Sequence, residues 1–189
     1  MARHKGLLRP RDLAAQGIAR EYLRLAVQNG QLERLARGLY RLPESPLSEH
    51  QTLAEVCTRV PKGVICLLSA LRFHDLTTQN PFQVWLAIGA HAHLPRLENV
   101  TLRVARFSGL ALSEEVETHP VNGVPVRVYS VAKTVADCFK YRNKVGTEVA
   151  VEALRDCLRE RKASVDALVR CARICRVERV IAPYMEALL

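Results

Sequence analysis

A short segment, LPESPLSEH at residues 42–50, divides this chain of 189 residues into two differently patterned regions. Its two prolines disfavour both a continuous helix and a central strand. A polar, proline-containing stretch between two periodic regions is typical of a linker. We therefore predict a boundary near residues 44–47, with a small domain over 1–44 and a larger one over 47–189.

The smaller region has, in order, the patterns of a helix, a tight turn, a second helix and a hairpin. The second helix is followed by Gly30, which is typical of a helix end. This order predicts a winged helix-turn-helix. The predicted elements are a helix over 11–15, a turn at Gln16-Gly17, a helix over 18–29, strands over 31–35 and 39–42, and a turn over 36–38.

The second predicted helix has one apolar side and one polar stripe. The apolar side could pack on the first helix and the hairpin, which leaves the stripe free to enter a major groove. Arg and Gln side chains can pair there with guanine and adenine edges. An amphipathic helix that only faces solvent has the same pattern. The apolar side consists of Ile18, Ala19, Tyr22, Leu23, Leu25, Ala26 and Val27, and the stripe of Arg20, Glu21, Arg24 and Gln28.

Positive charge is concentrated in the smaller region. The formal net charge of the chain is +9, and residues 1–43 hold nine Lys or Arg against three acidic residues. A concentrated positive field suits a phosphate backbone. Arg37 lies at the tip of the predicted hairpin, where it could reach phosphates or a minor groove. The other cations that we expect at DNA are Arg11, Arg34 and Arg41.

The larger region alternates strand and helix patterns, which predicts a mixed α/β (α+β) domain. The strands are rich in β-branched and aromatic residues, and Asn122-Gly123 suits a type I′ hairpin turn. The predicted strands cover 82–88, 100–107 and 124–129, and the predicted helices cover 50–59, most of 64–74, 130–140, 147–160, 164–176 and 179–189. Ser130, Thr147 and Ser164 are the predicted helix caps.

The C-terminal helices are basic, with eleven Lys or Arg against six acidic residues over 140–179. Arg170, Arg173 and Arg176 share the polar side of one predicted helix. They could form a second basic surface for a polyanion, although a solvated helix face is the commoner interpretation.

No motif of the larger region amounts to a catalytic or metal constellation. We interpret His91-Ala92-His93 as a polar loop, and His74-Asp75 as helix neighbours that do not face each other. Lys133 and Asp137 are interpreted as a surface ion pair. We predict no catalytic residue, no metal and no cofactor.

The composition favours a cytoplasmic protein without membrane contact. The longest apolar run, at 64–71, is too short for a membrane span, and the N-terminal segment does not have the pattern of a secretory signal. In a reducing compartment the six cysteines are expected to be free thiols. Cys171 and Cys175 are interpreted as core residues rather than as a metal-binding pair.

Three stretches, in order along the chain, carry a family resemblance. The run RGLYRLP at 37–43 follows Gly17-Ile18, Tyr22-Leu23, Gly30 and Leu32. Further on come SALRFHDLT at 69–77 and VYSVAKTVAD at 128–137. Together they resemble the winged helix, the S-A-L-x-x-H-x-L-T segment and the strand-into-helix signature of AbiEi-like antitoxins, which are transcriptional regulators of type IV toxin–antitoxin systems.

This resemblance implies an autorepressor whose N-terminal domain binds inverted repeats in double-stranded DNA at its own promoter. It also implies that the C-terminal domain counteracts a nucleotidyltransferase toxin, classically without a stable complex. Family members usually have a helix before the segment that begins here at Gly6, and only five residues precede it in this sequence. The resemblance then implies a head without its first helix, or a start upstream of Met1.

Two other functions stay open at this point. The larger domain could be a protein-interaction module that neutralises a toxin by direct binding. A metal-dependent nuclease is less favoured, because it would need clustered acidic residues. Glu55, Asp75 and Asp137 are too scattered in the sequence to predict such a cluster.

Overall fold

The chain divides into two compact units in a computed structural model of the protein. The first unit comprises residues 1–61 and 119–126, and the second comprises 62–118 and 127–189. The structure describes residues 7–8, 10, 13, 17, 19–36, 38–43, 50–95, 97 and 100–189. The predicted boundary at 44–47 lies outside the described residues. So does the predicted first helix apart from Leu13, which is helical.

The first unit contains a small antiparallel sheet and two helices among the residues described. Its elements are β1 (Leu7–Leu8), α1 (Arg20–Gln28), β2 (Glu33–Ala36), β3 (Leu39–Arg41) and α2 (Gln51–Arg59). The strand order is β1-β3-β2, and β3 pairs antiparallel with both neighbours. The predicted second helix and hairpin are therefore present. Strand β1 was not predicted, because two residues are too few to show an alternating pattern.

Helix α1 ends in a backbone motif that depends on glycine. The N–H of Gln31 donates to Ala26 O at 2.8 Å, and that of Gly30 donates to Val27 O at 3.1 Å. Gly30 has a φ of +69°. This is the Schellman arrangement, which satisfies the last helical carbonyls when the residue after the cap is left-handed. The motif sets the direction in which the chain leaves α1 for the hairpin.

From β4 onward the chain contains a mixed five-stranded sheet with helices, so the predicted α/β class is confirmed. The strand order is β6-β5-β4-β8-β7, in which β4 pairs parallel with β8 and β5 pairs parallel with β6. The strands are β4 (Val64–Ile65), β5 (Val84–Gly89), β6 (Leu102–Phe107), β7 (Val116–Val121) and β8 (Val124–Tyr129). The helices are α3 (Leu67–Phe73), α4 (Leu110–Ser113), α5 (Val131–Lys140), α6 (Arg142–Val145), α7 (Thr147–Arg159), α8 (Val165–Cys175) and α9 (Glu178–Leu188).

Two local predictions differ from the structure. The apolar run at 64–74 is mostly helix, as predicted, but it begins with a two-residue strand that was not predicted, because a run buried throughout has no period that separates strand from helix. Helix α7 is capped by Gly146, whose φ is +98°, and Thr147 is its first residue. The other predicted caps are confirmed: Ser130 accepts from Lys133 N, and Ser164 accepts from Ala167 N.

Helix α5 lies at the centre of the second unit's core. It packs against α3, α7, α8 and α9. Every residue from Ala132 to Phe139 is buried. Among the residues described, no helix is long and apolar enough to cross a membrane.

Candidate nucleic-acid interface

Helix α1 presents a polar face to solvent. Glu21, Arg24 and Gln28 are all exposed, and Arg24 has no side-chain partner among the described residues. On the other side Leu23 is buried. For Arg20 the structure describes the backbone, which begins the helix, but not the side chain. Three members of the predicted stripe thus lie on an accessible surface.

The apolar side of α1 is narrower than the wheel predicted. Tyr22 is 64% exposed and Leu25 is 48% exposed. Ala26 and Val27 are half-buried, so burial is centred on Leu23. The prediction that Tyr22 and Leu25 pack inward was wrong, because apolar character alone does not tell how wide the covered side is. Both side chains therefore add exposed apolar surface to α1.

The hairpin that follows α1 carries further cations. Arg34 lies opposite Tyr40 in the ladder and is exposed, with no side-chain partner among the described residues. Arg41 pairs with Glu33 in register, and its side chain is not described. Gly38 in the turn has a φ of +80°, which favours glycine there. Arg11 and Arg37 lie outside the described residues.

The C-terminal arginines are exposed but partly neutralised. Arg170 Nη2 lies 2.9 Å from Glu115 Oε1, and Arg173 Nε lies 2.8 Å from Glu178 Oε1. Arg176 follows the end of α8 and has no side-chain partner among the residues described. The three do not form one uncompensated stripe, so the second basic surface is a weaker DNA candidate than α1.

Lys133 and Asp137 form a buried ion pair, and the prediction of a surface pair was wrong. Their side chains are 0% and 1% exposed, and Nζ lies 2.6 Å from Oδ2. Nζ also lies 4.1 Å from the ring centroid of Tyr129 and 4.9 Å from that of Phe107. The reason is that other elements cover α5 on all sides, so two polar residues four positions apart on this helix do not face solvent.

The other oxygen of Asp137 is also occupied. Cys175 Sγ donates to Oδ1 at 3.1 Å. Burial raises the pKa of Asp137, against the opposing effect of Lys133. Burial likewise raises the pKa of the Cys171 thiol to about 11. All six cysteines are buried and free, so the prediction of core thiols is confirmed.

The motif residues that invited a catalytic interpretation have structural partners. His74 Nε2 lies 2.7 Å from Tyr129 O, which joins the stretches at 69–77 and 128–137. Asp75 Oδ1 lies 3.7 Å from Arg72. His91 and His93 lie in an exposed loop, as predicted. In the part of the chain that the structure describes, no three His, Cys, Asp or Glu side chains are placed to hold a metal ion.

The N-terminal part of the chain is similar to a known protein family. Residues 2–43 match the family described as "Transcriptional regulator, AbiEi antitoxin". The N-terminal segment is AbiEi-like. The match covers α1 and the hairpin, so the resemblance inferred from the motifs is confirmed there. This family is one of transcriptional regulators and antitoxins.

A solved structure shares the fold of nearly the whole chain. It is the crystal structure of the RV2827C protein from Mycobacterium tuberculosis, with a TM-score of 0.60 and 14% sequence identity. The likeness covers 97% of this chain and 75% of that chain. At this identity it shows the fold alone. No curated protein sequence matches the chain.

Two groupings of residues in the structure were not predicted from the sequence. The buried pair had a usable signal, because the residues around Lys133 and Asp137 are apolar or small on every side of α5, which is typical of a buried helix. The second grouping brings Arg106, Lys140 and Arg176 to one pocket. No sequence signal marks it, because these residues lie on three elements that are distant along the chain.

Proposed function

We propose that this protein is a cytoplasmic, sequence-specific DNA-binding repressor of its own operon and an antitoxin of a toxin–antitoxin system. One observation carries the proposal: an exposed Glu21, Arg24 and Gln28 face, followed directly by a cationic hairpin, lies in the segment that matches AbiEi antitoxin regulators. The N-terminal part acts as a winged helix-turn-helix, with residues 1–44 as the DNA-binding domain and 47–189 as the effector domain.

In this proposal α1 is the recognition helix. Arg24 pairs with a guanine through O6 and N7, and Gln28 pairs with an adenine through N6 and N7. Arg20 and Glu21 contact bases from the same face, and Glu21 can accept from a cytosine amino group. Each correct bidentate pair discriminates against a wrong base by about 1–3 kcal/mol. Tyr22 and Leu25, also exposed on α1, offer apolar contact to thymine methyl groups.

The hairpin is the wing in this proposal. Arg34, Arg37 and Arg41 bind phosphates or enter the adjacent minor groove, and Arg11 adds a phosphate contact beside the turn before α1. Such contacts position the protein but carry little sequence information. They also make affinity fall steeply as salt rises, because each neutralised phosphate releases bound counterions.

The antitoxin half of the proposal concerns a nucleotidyltransferase toxin that the protein counteracts without a stable complex. Its support is the resemblance of the stretches at 69–77 and 128–137 to the effector part of AbiEi-like antitoxins. Expression of the toxin gene neighbouring this one should arrest growth, and co-expression of this protein should restore it. Rescue by the Arg24→Ala variant would show that neutralisation is separate from DNA reading, whereas absence of rescue by the unaltered protein contradicts the antitoxin role.

The repressor half is tested by fluorescence anisotropy on a promoter fragment from upstream of the gene. Arg24→Ala should lower affinity for this fragment by about tenfold or more and leave affinity for shuffled DNA nearly unchanged. Arg34→Ala should weaken binding to both fragments alike and reduce the salt slope by about one. Arg155→Ala removes the same charge from the exposed surface of α7 and should change neither.

If all three arginine variants change affinity for the two fragments in the same way, the distinct roles proposed for Arg24 and Arg34 are contradicted. It would mean that binding follows net charge rather than contacts made by α1 and the hairpin. If Arg24→Ala lowers affinity for both fragments equally, α1 does not read bases.

A further inference from the structure

A pocket of about 410 Å3 opens in the second unit, where the end of β6, the end of α5 and the end of α8 meet. Its lining combines apolar and cationic side chains. The apolar part includes Phe107, Ala111 and Ile174, and the cations are Arg106, Lys140, Arg173 and Arg176. The sequence indicated Arg173 and Arg176 as candidate surface cations, but it did not indicate Arg106 or Lys140.

The positive charge of the pocket is poorly compensated. Lys140 and Arg176 are exposed, and within the described part of the chain their side chains have no ion-pair or hydrogen-bond partner. Arg173 donates through Nε to Glu178, which leaves its two terminal nitrogens without a partner among the same residues. Asp137 is the acidic residue in the lining, and Lys133 already neutralises it.

Arg106 contributes a fixed positive charge to the pocket, because hydrogen bonds within the protein hold its guanidinium in place. Its Nη1 donates to the carbonyl oxygens of Gly89, Ala90 and Ala92, at 3.2, 2.7 and 2.9 Å. These acceptors are neutral, so they hold the guanidinium in place without cancelling its charge. The pocket therefore keeps a fixed positive charge at the end of β6.

The backbone of Arg176 adds a second observation. Its φ is +57°, in the left-handed region, where it caps the end of α8. Glycine is the usual residue at such a helix end, because a side chain is strained there. Glycine at this position would keep the backbone motif and remove only the cationic side chain, so Arg176→Gly is a suitable variant for testing what that side chain does.

We propose that this pocket binds an organic phosphate of nucleotide size. Lys140, Arg173 and Arg176 hold the phosphate oxygens, since Lys and Arg form strong charge-assisted hydrogen bonds to phosphate. Phe107 and Ile174 cover the apolar part of the ligand, which distinguishes an organic phosphate from inorganic phosphate. The volume lies within the range of small-molecule sites. The second unit is then a ligand-binding domain, and this holds whether or not α1 reads DNA.

The test is isothermal titration calorimetry on the full chain with ATP and GTP, and with adenosine and inorganic phosphate as partial ligands. One or both nucleotides should bind saturably at one site per chain. Adenosine and inorganic phosphate should each bind at least about tenfold more weakly, because each lacks one half of the contacts. Absence of saturable binding by both nucleotides overturns the proposal, as does inorganic phosphate binding as tightly as the nucleotide.

Three variants locate the binding. Lys140→Ala and Arg176→Ala should each weaken nucleotide binding by about tenfold or more, as expected for loss of a charged hydrogen bond. Arg176→Gly should also lose binding while relieving the backbone strain, so its thermal midpoint should not fall. That variant separates loss of the ligand contact from loss of the fold.

Arg179→Ala is the matched control, because Arg179 is exposed, lies three residues after Arg176 and does not line the pocket. It should change nucleotide affinity by less than about twofold. If it weakens binding as much as Arg176→Ala, a diffuse positive field is responsible and the pocket proposal fails. Duplex DNA is the other source of phosphate: if promoter DNA displaces the nucleotide and Arg176→Ala weakens both equally, the pocket is part of a DNA surface and the proposal is overturned.

Discussion

The buried Lys133–Asp137 pair is a single contact on which the stability of the second unit depends strongly. Both side chains are removed from water, and their loss of hydration is offset by a 2.6 Å ion pair, the Cys175 thiol and two aromatic rings. Removal of one partner leaves an uncompensated charge in the core, which is far more costly than loss of an exposed pair. The stability of the second unit therefore depends on the pair as a unit.

Lys133→Met should lower the free energy of unfolding by about 3–5 kcal/mol, because the Asp137 carboxylate remains buried without its cation. Urea denaturation followed by far-UV circular dichroism measures this. Replacement of both residues, Lys133→Met with Asp137→Leu, should recover much of the loss.

Arg159→Ala is the control for the buried pair. Arg159 makes exposed ion pairs with Asp156 and Glu160 on α7, and loss of such pairs costs about 1 kcal/mol at most. If Lys133→Met costs no more than this variant, the pair does not stabilise the core as described.

The contribution of Glu115 to the stability of the fold depends on pH, and the direction of this dependence follows from its contacts. Burial raises its pKa, but hydrogen bonds from Arg170 and Ser130 outweigh this effect and leave the pKa below its ordinary value. A carboxylate with a lowered folded pKa stabilises the fold above its unfolded pKa of about 4.3, and this contribution is lost as pH falls through the folded value. Relative to Glu115→Gln, the unaltered protein should therefore be more stable at neutral pH, and the difference should shrink below about pH 4.3.

Urea midpoints at a series of pH values measure this difference. Arg170→Ala removes the partner and should reduce the same pH-dependent advantage. An advantage over Glu115→Gln that grows as pH falls would contradict the assigned contacts.

At the scale of elements, the turn from α1 into the hairpin fixes the candidate recognition surface. The Schellman bonds from Gln31 and Gly30 satisfy the last carbonyls of α1 and set where β2 begins. A Cβ on Gly30 would meet no atom within 4 Å. The requirement for glycine is therefore conformational and not steric.

Gly30→Ala should destabilise this turn by about 1 kcal/mol, because alanine resists a φ of +69°. Hydrogen exchange of the Gln31 and Leu32 amides, which both donate to Ala26 O, should be about fivefold faster in this variant. Gly30→Asn should have a smaller effect, since asparagine tolerates the left-handed region. Equal exchange in Gly30→Ala and the unaltered protein would mean that the turn does not control this end of α1.

Local elements could be predicted from the sequence, whereas their burial and meeting points could not. Ser130, Ser164, Gly30 and the Asn122-Gly123 turn act through neighbours only a few residues away, so their effects are visible in the sequence. The inward packing of Tyr22 and the surface position of Asp137 were both predicted wrongly. Each depends on which distant element covers a helix, and a helical wheel contains no such information.

At the scale of the whole molecule, the two proposed activities belong to different units. DNA reading is assigned to α1 and its hairpin in the first unit, and organic phosphate binding is assigned to the pocket of the second. The charge distribution agrees with this assignment, because both places have cations without acidic partners among the residues described. Loss of one activity should leave the other intact.

The most direct test of the central claim, that α1 and its hairpin read a DNA sequence, is a mobility-shift titration. It compares the promoter fragment with a shuffled fragment of the same length and composition at physiological salt. The protein should bind the promoter at least about a thousandfold more tightly, as specific regulators do. Equal affinity for the two fragments would contradict the account.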